Sequence, residues 1–184
     1  MDSPWMETVA DVLAKRGVRV ARFELAYMAA RRDGVRKGQP RAEAVTGEYL
    51  DAVAAARNAH GGAVLVGGKS FGGRVASMIA APAHAAGVVA LGYPFHPPGK
   101  PDRLRTTHLL DLDVPMLVCQ GERDPFGTAT EVPVYGLPAA VDVHWAPDGD
   151  HSLKPRKASG RTEVENLAEA ADRIAAFVTR VATA

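Results

Sequence analysis

Five short apolar runs recur along this 184-residue chain, at 18–25, 63–66, 88–91, 115–119 and 141–145. Segments with apolar residues at helical spacing alternate with them. This alternation limits the fold more than any other feature. Short apolar strands of the length 63–66 suit a parallel sheet buried on both faces, and parallel neighbours need helical crossovers. Ser3 and Pro4 supply an N-cap and a proline at the first helical position. Met6, Val9, Ala10 and Leu13 then recur at helical spacing until Gly17. Val45, Tyr49, Ala52, Val53 and Ala56 mark a second helix that ends at Gly61 and Gly62. A third runs over 71–81 and closes at Pro82. A fourth covers 163–178, with Val164, Leu167, Ala171, Ile174 and Val178 on one face. The pattern predicts one α/β domain over 1–184, a three-layer sandwich around a mostly parallel sheet. At 47% hydrophobic residues, the chain has enough apolar surface for a core.

In such sheets ligands bind beyond the carboxyl ends of the strands. The loops after Leu25, Val66, Leu91, Cys119 and Trp145 should therefore share one rim. On it stands VLVGGKSFGGR, residues 64–74, which admits two chemistries. Gly68-Lys69-Ser70 could end a phosphate-binding loop, but the first glycine of that motif would fall on Ala63. Val64, Leu65 and Val66 would also replace the flexible backbone cradle with buried strand. The same residues are G-x-S-x-G, a nucleophile elbow of strand, sharp turn and helix. Gly68 and Gly72, with Lys69 between strand and serine, would clear the space where strand and helix nearly touch. Gly67 and Gly73 would add room. Ser70 would stand at the tip. The blander alternative is a glycine-rich turn with Ser70 as a helix cap.

A nucleophilic serine needs a base, and the base an orienting carboxylate. The order expected in this fold is Ser, then Asp or Glu, then His. Asp124 in QGERDPFG follows an apolar run, and His151 in PDGDHSL follows the last one. Asp150 and Asp113 are weaker candidates for the acid. Taken singly, Asp124 could be a turn residue and His151 a solvated loop histidine. Tyr93, Phe95 and His96 in the proline-rich loop are candidate substrate-binding residues. His96 and His108 could line the pocket, but such residues are more often loop hydrogen-bonders, the reading favoured here. No C-x-x-C or H-E-x-x-H spacing suggests a metal, and the chemistry expected needs no cofactor.

GGKSFGGR, LGYPFHPPGK, QGERDPFG and GDHSLKP together resemble a small bacterial α/β-hydrolase family. It is dienelactone-hydrolase-like, and related to the hydrolase-like domain of an NSL chromatin complex subunit and its testis-expressed relatives. The resemblance runs along nearly the whole chain. It implies the α/β-hydrolase fold, Ser70 as nucleophile, Asp124 as acid, His151 as base and the Phe71 N–H as an oxyanion donor. It implies ester, thioester or lactone hydrolysis; a catalytically weak interaction domain is the alternative. Such proteins usually open with a strand and an H-G-x-G-type loop ahead of MDSP. The expectation is therefore an N-terminally shortened chain. The missing strand would lie between the 18–25 and 63–66 strands, and the uncovered edge could support self-association.

Lys and Arg total 22 against 21 Asp and Glu, a net charge of +1, which gives no pull toward nucleic acid or membrane. The most apolar stretch, 75–93, holds Pro82, His84 and Gly87 and is no membrane span. The start has neither a basic n-region nor a long apolar run. Together with the single Cys119, expected as inert core, this suits a cytoplasmic chain. Local charge is less even. Arg31, Arg32, Arg36, Lys37 and Arg41 follow the first run, and Lys154, Arg156, Lys157 and Arg161 follow His151. Arg31 and Arg32 are thus candidate contacts for a small anionic substrate, with two solvated basic loops as the alternative.

Overall fold

The computed structural model describes residues 3–35 and 38–182. Helix α1 (Pro4–Ala14) starts where the Ser3 hydroxyl accepts from the Met6 N–H at 3.3 Å, and it buries Val9 and Leu13. Helix α2 (Ala26–Arg32) was not marked by the sequence; the basic loop begins inside it. Helix α3 (Thr46–His60) buries Tyr49 and Val53 and stops at Gly61. Four strands follow: β1 (Leu65–Lys69), β2 (Gly87–Leu91), β3 (Met116–Gly121) and β4 (Val141–Ala146). Helix α4 (Phe71–Ile79) joins β1 to β2, and α5 (Glu163–Ala182) ends the described chain.

The strands lie side by side in chain order, all parallel. Val66, Val88, Met116 and Val141 share one row of the register. Side chains alternate between faces. Met116 and Val118 pack with Val66, Val75, Ile79 and Tyr49 on the α3–α4 side. Leu117 and Cys119 pack with Leu13, Leu167, Ile174 and Phe177 on the α1–α5 side. Two cores on opposite faces of one sheet make the expected three layers. Cys119 is buried, and burial pushes its thiol up to about 12, as an inert core cysteine requires. Along α5 the buried stripe is Leu167, Ala170, Ala171, Ile174, Phe177 and Val181, while Val164 is exposed. Val164 continues the stripe by periodicity but faces solvent, while Asn166 is the buried residue of that first turn.

Residues 18–25 form no strand, contrary to expectation. Val20 and Phe23 are exposed, and Phe23 meets the Tyr49 ring edge-on at 4.7 Å. A strand needs a ladder partner as well as β-prone residues, and among the described residues β1 pairs only with β2. Nor are 18–25 and β1 forced together. The buried Tyr49 hydroxyl covers part of the β1 edge instead: it accepts from the Gly67 N–H at 2.9 Å and donates to the Gly67 carbonyl. Burial raises that phenol to about 12, so it stays protonated and able to donate. Strand β1 also runs to Lys69, three residues beyond the apolar run that marks it. Among the described residues no helix is long and apolar enough to cross a membrane.

Candidate active site

The carboxyl ends of β1, β2, β3 and β4 bring four loops to one rim. At the first, Ser70 sits between β1 and α4 with φ 52° and ψ −114°. A non-glycine residue at positive φ costs about 1–3 kcal/mol and persists only where its surroundings enforce it. Two contacts do so here. The Ser70 N–H donates to the Leu91 carbonyl at 2.9 Å. Strand and helix also approach so closely that a Cβ on Gly68 would lie 2.8 Å from the Gly72 carbonyl carbon, and one on Gly73 would lie 2.7 Å from the Gly68 oxygen. Gly72 itself has open space where a Cβ would go. The sequence therefore assigned that clearance to the wrong residue of the pair: Gly73, facing the sheet, is the one that cannot carry a side chain.

Asp124 lies in the turn after β3 and is fully buried. One carboxylate oxygen accepts from the Phe126 N–H at 2.9 Å; the other accepts from Gln120 Nε2 at 2.9 Å and faces His151 Nδ1 at 2.8 Å. His151, in the loop after β4, places Nε2 2.8 Å from Ser70 Oγ. With Asp124 taking the Nδ1 proton, Nε2 is left to accept from the serine hydroxyl. Hydroxyl, imidazole and buried carboxylate thus stand in one hydrogen-bonded series, drawn from three loops up to 81 residues apart. Phe71 opens α4, so its N–H has no carbonyl inside the helix to bond and points out at the helix N-terminus beside Ser70.

A cavity of about 410 Å³ opens on Ser70 and is lined by Gln39, Pro40, Arg41, Phe71, Arg74, Pro94, Arg105 and Phe126, among others. The Phe126 ring also lies 4.4 Å from the His151 ring. The model of the alpha/beta hydrolase domain family matches residues 1–179 of the chain.

The protein belongs to the alpha/beta hydrolase family.

No curated protein matches the chain. Solved structures similar to this hydrolase include an α/β serine hydrolase without a lid from Xanthomonas campestris, 18% identical, with a TM-score of 0.66, covering 100% of this chain and 76% of that one. An α/β serine hydrolase homologue from Coxiella burnetii is 17% identical, with a TM-score of 0.64, covering 94% and 77%. The esterase domain of a Rhodothermus marinus protein is 17% identical, with a TM-score of 0.62, covering 96% and 79%. At such identities the likeness is one of fold.

Other residues singled out from the sequence fall elsewhere. Tyr93, Phe95 and His96 are buried and do not line the cavity, which correct their reading as substrate contacts. Tyr93 and Phe95 pack in the α3–α4 core, and the Tyr93 hydroxyl donates to the Arg105 carbonyl at 3.1 Å. His96 donates from Nδ1 to its neighbour Pro97, and His108 Nε2 meets Ser77 Oγ at 2.9 Å. Arg32 is paired with Glu24 at 2.5 Å, and Arg31 lies 5.3 Å over the Tyr27 ring; neither reaches the cavity. Arg36 and Lys37 lie outside the described residues. Arg156 pairs with Asp148, and Arg161 with Glu169 at 2.7 Å. Asp113 is exposed before the start of β3, and Asp150 caps its own turn through the Ser152 and Lys154 N–H groups.

Two further residues of the hydrolase support the site: Gln120, which the sequence did not single out, and Lys69, expected only as part of the elbow. Gln120 is fully buried in β3. It accepts from the Tyr93 N–H at 2.7 Å and donates to Asp124, tying the β2 and β3 loops together. An amide in an otherwise apolar strand was its signal. Lys69, placed between strand and serine in the elbow, reaches Ser152 Oγ at 2.6 Å and lies 4.5 Å over the Trp5 ring. Trp5 Nε1 donates to the Ser152 carbonyl at 3.1 Å, so α1 and β1 both grip the residue after His151. Burial lowers the Lys69 ammonium, against the pull of Asp150, Asp124 and Glu163.

Proposed function

We propose that this alpha/beta hydrolase is a serine hydrolase that cleaves a small ester, thioester or lactone through an acyl-enzyme. The observation that carries the reading is the unbroken series Asp124–His151–Ser70, with both links at 2.8 Å. Ser70 Oγ attacks the substrate carbonyl carbon while His151 Nε2 takes its proton. The Asp124 carboxylate holds the imidazole and stabilises the imidazolium that forms. Negative charge moves to the carbonyl oxygen, where the Phe71 N–H and the positive end of α4 meet it. Collapse of that intermediate breaks the bond to the alcohol oxygen or thiol sulfur, which takes the proton from His151; an ester or thioester then loses that group, and a lactone keeps it on the acyl chain. Water then repeats the sequence on the acyl-serine, releasing the acid and restoring the serine. Every proton in the cycle passes through His151, and no cofactor is required.

The motifs GGKSFGGR, LGYPFHPPGK, QGERDPFG and GDHSLKP support the narrower likeness to dienelactone-type hydrolases. The strained backbone of Ser70 supports its role as nucleophile, since an ordinary helix cap would not need positive φ. Hydrolysis of p-nitrophenyl butyrate tests the reading. Ser70→Ala, His151→Gln and Asp124→Asn should each lower kcat by about 10⁴-fold, and combining them should cost little more than one alone. Full activity in Ser70→Ala would rule the reading out.

A further inference from the structure

The cavity on Ser70 has an uneven charge. Arg41, Arg74 and Arg105 line it, and no acidic residue does. Arg74 is on α4, one turn after Ser70, and its N–H donates to the Ser70 carbonyl at 3.0 Å. Its Nη2 lies 3.5 Å from Glu43, an exposed partner, while its Nε is buried without any hydrogen-bond partner. Arg105 comes from the long β2–β3 connection and is partly buried; Arg41 is exposed. Neither makes an ion pair among the described residues. Burial and the Arg74 charge both lower the Arg105 guanidinium below its ordinary value, so the two cations repel, offset in part by the exposed Glu43 beside Arg74. The neighbouring His108 imidazole is likewise held down by burial and by Arg74. Keeping like charges together beside a reactive hydroxyl costs stability, and an incoming anion would recover that cost. Guanidinium groups bind carboxylate and phosphate through paired N–H donors.

We propose that Arg41, Arg74 and Arg105 form an oxyanion-binding subsite beside Ser70. The substrate is then an ester, thioester or lactone that carries a carboxylate or phosphate within reach of its carbonyl. This rests on the serine hydrolase reading for its catalysis, but not for its binding. A cavity of about 410 Å³ bounded by Pro40, Pro94 and Phe126 suits a short acyl chain with the anion at its far end. The basic residues flagged by sequence at Arg31 and Arg32 are spent on Tyr27 and Glu24, outside this subsite.

Two measurements separate the subsite from the chemistry. In Ser70→Ala, calorimetry with monomethyl glutarate, methyl phosphate and neutral dimethyl glutarate reads anion binding without turnover. Either anion should bind at least about tenfold tighter than the diester, and the tighter of the two names the group. Arg105→Gln should remove about tenfold of that preference, as should raising salt from about 0.05 M to about 0.5 M. Arg41→Gln is the second variant, because an exposed side chain can be changed without disturbing the fold. It should weaken the same preference. In the wild-type chain, kcat/KM for mono-p-nitrophenyl glutarate should exceed that for p-nitrophenyl valerate, and the ratio should fall in both arginine variants. Equal binding of the monoester, the phosphate and the diester overturns the subsite. So does an unchanged preference in both arginine variants. Anion binding without hydrolysis of any ester would keep the subsite and overturn the serine hydrolase reading. Hydrolysis with no anionic preference would do the reverse.

Discussion

At Asp124 the chain buries a carboxylate completely and surrounds it with the Phe126 N–H, the Gln120 amide and the His151 imidazole. A buried charge is tolerable only when so satisfied. Gln120 is the least replaceable of the three, because it also accepts from the Tyr93 N–H and donates to the Tyr93 and Gly127 carbonyls. Gln120→Leu keeps a similar volume but orphans those groups. It should cost about 1–3 kcal/mol in urea unfolding. On the proposed mechanism it should also lower kcat more than it changes KM, because Gln120 bonds Asp124 and does not line the cavity. Ser70, Asp124 and His151 were legible because each ends an apolar run on the same rim, in the order this fold uses. Gln120 was not. An amide in an apolar run marks it as unusual, but its partners, the Tyr93 and Gly127 backbone and the Asp124 carboxylate, meet it only through space. Tyr93 and Phe95 misled for a related reason: their loop is long and proline-rich, yet it folds into the core and leaves Pro94 and Arg105 to face the cavity.

The elbow works as an element, through the approach of β1 to α4. Gly73→Ala sets a Cβ against the Gly68 oxygen at 2.7 Å and the Ala90 Cβ at 2.9 Å. It should destabilise the protein by about 1–3 kcal/mol in urea unfolding. Gly72→Ala meets nothing within 4 Å and gains helix propensity, so its unfolding midpoint should match or exceed that of the parent. If the order is reversed, the packing account of the elbow is wrong. Both glycines look alike in the sequence; which one faces β2 depends on the rotation of α4 above the sheet. The strand expected at 18–25 failed at this scale too. Val, Phe and Leu in that run fit a pleated surface, but strand formation is settled by the neighbour, and here Tyr49 takes the Gly67 backbone groups. Lys69 links elements as well. Lys69→Met keeps the stem over Trp5 but loses the bond to Ser152, so the grip on the His151 loop should loosen. Faster amide exchange across 150–153, with exchange in β3 unchanged, would show it.

Charge over the whole molecule nearly cancels, at +1, yet it is sorted. Acidic partners hold Arg16, Arg123, Arg156 and Arg161, while Arg41 and Arg105 at the cavity make no ion pair among the described residues. Asp148 shows the first kind. The Arg156 guanidinium, then the Arg156 N–H, hold its carboxyl down to about 2 from an ordinary 3.8. A depressed folded value stabilises the native state above the unfolded value, and that contribution is lost as pH falls through the folded one. The unfolding midpoint should therefore drop between about pH 4 and pH 2, and Asp148→Asn should flatten that part of the profile. Composition alone showed the balance of charge, but not that Arg74 and Arg105 would meet across a cavity. They are 31 residues apart, one on α4 and the other in the β2–β3 connection. The central claim is that Ser70 is a nucleophile activated by His151. Intact-mass measurement after exposure to a fluorophosphonate, with the adduct mapped by peptide, tests it most directly. One adduct per chain on Ser70, absent in Ser70→Ala and strongly slowed in His151→Gln, is the predicted result. A folded chain that takes no adduct, or takes it at another residue, would contradict the account.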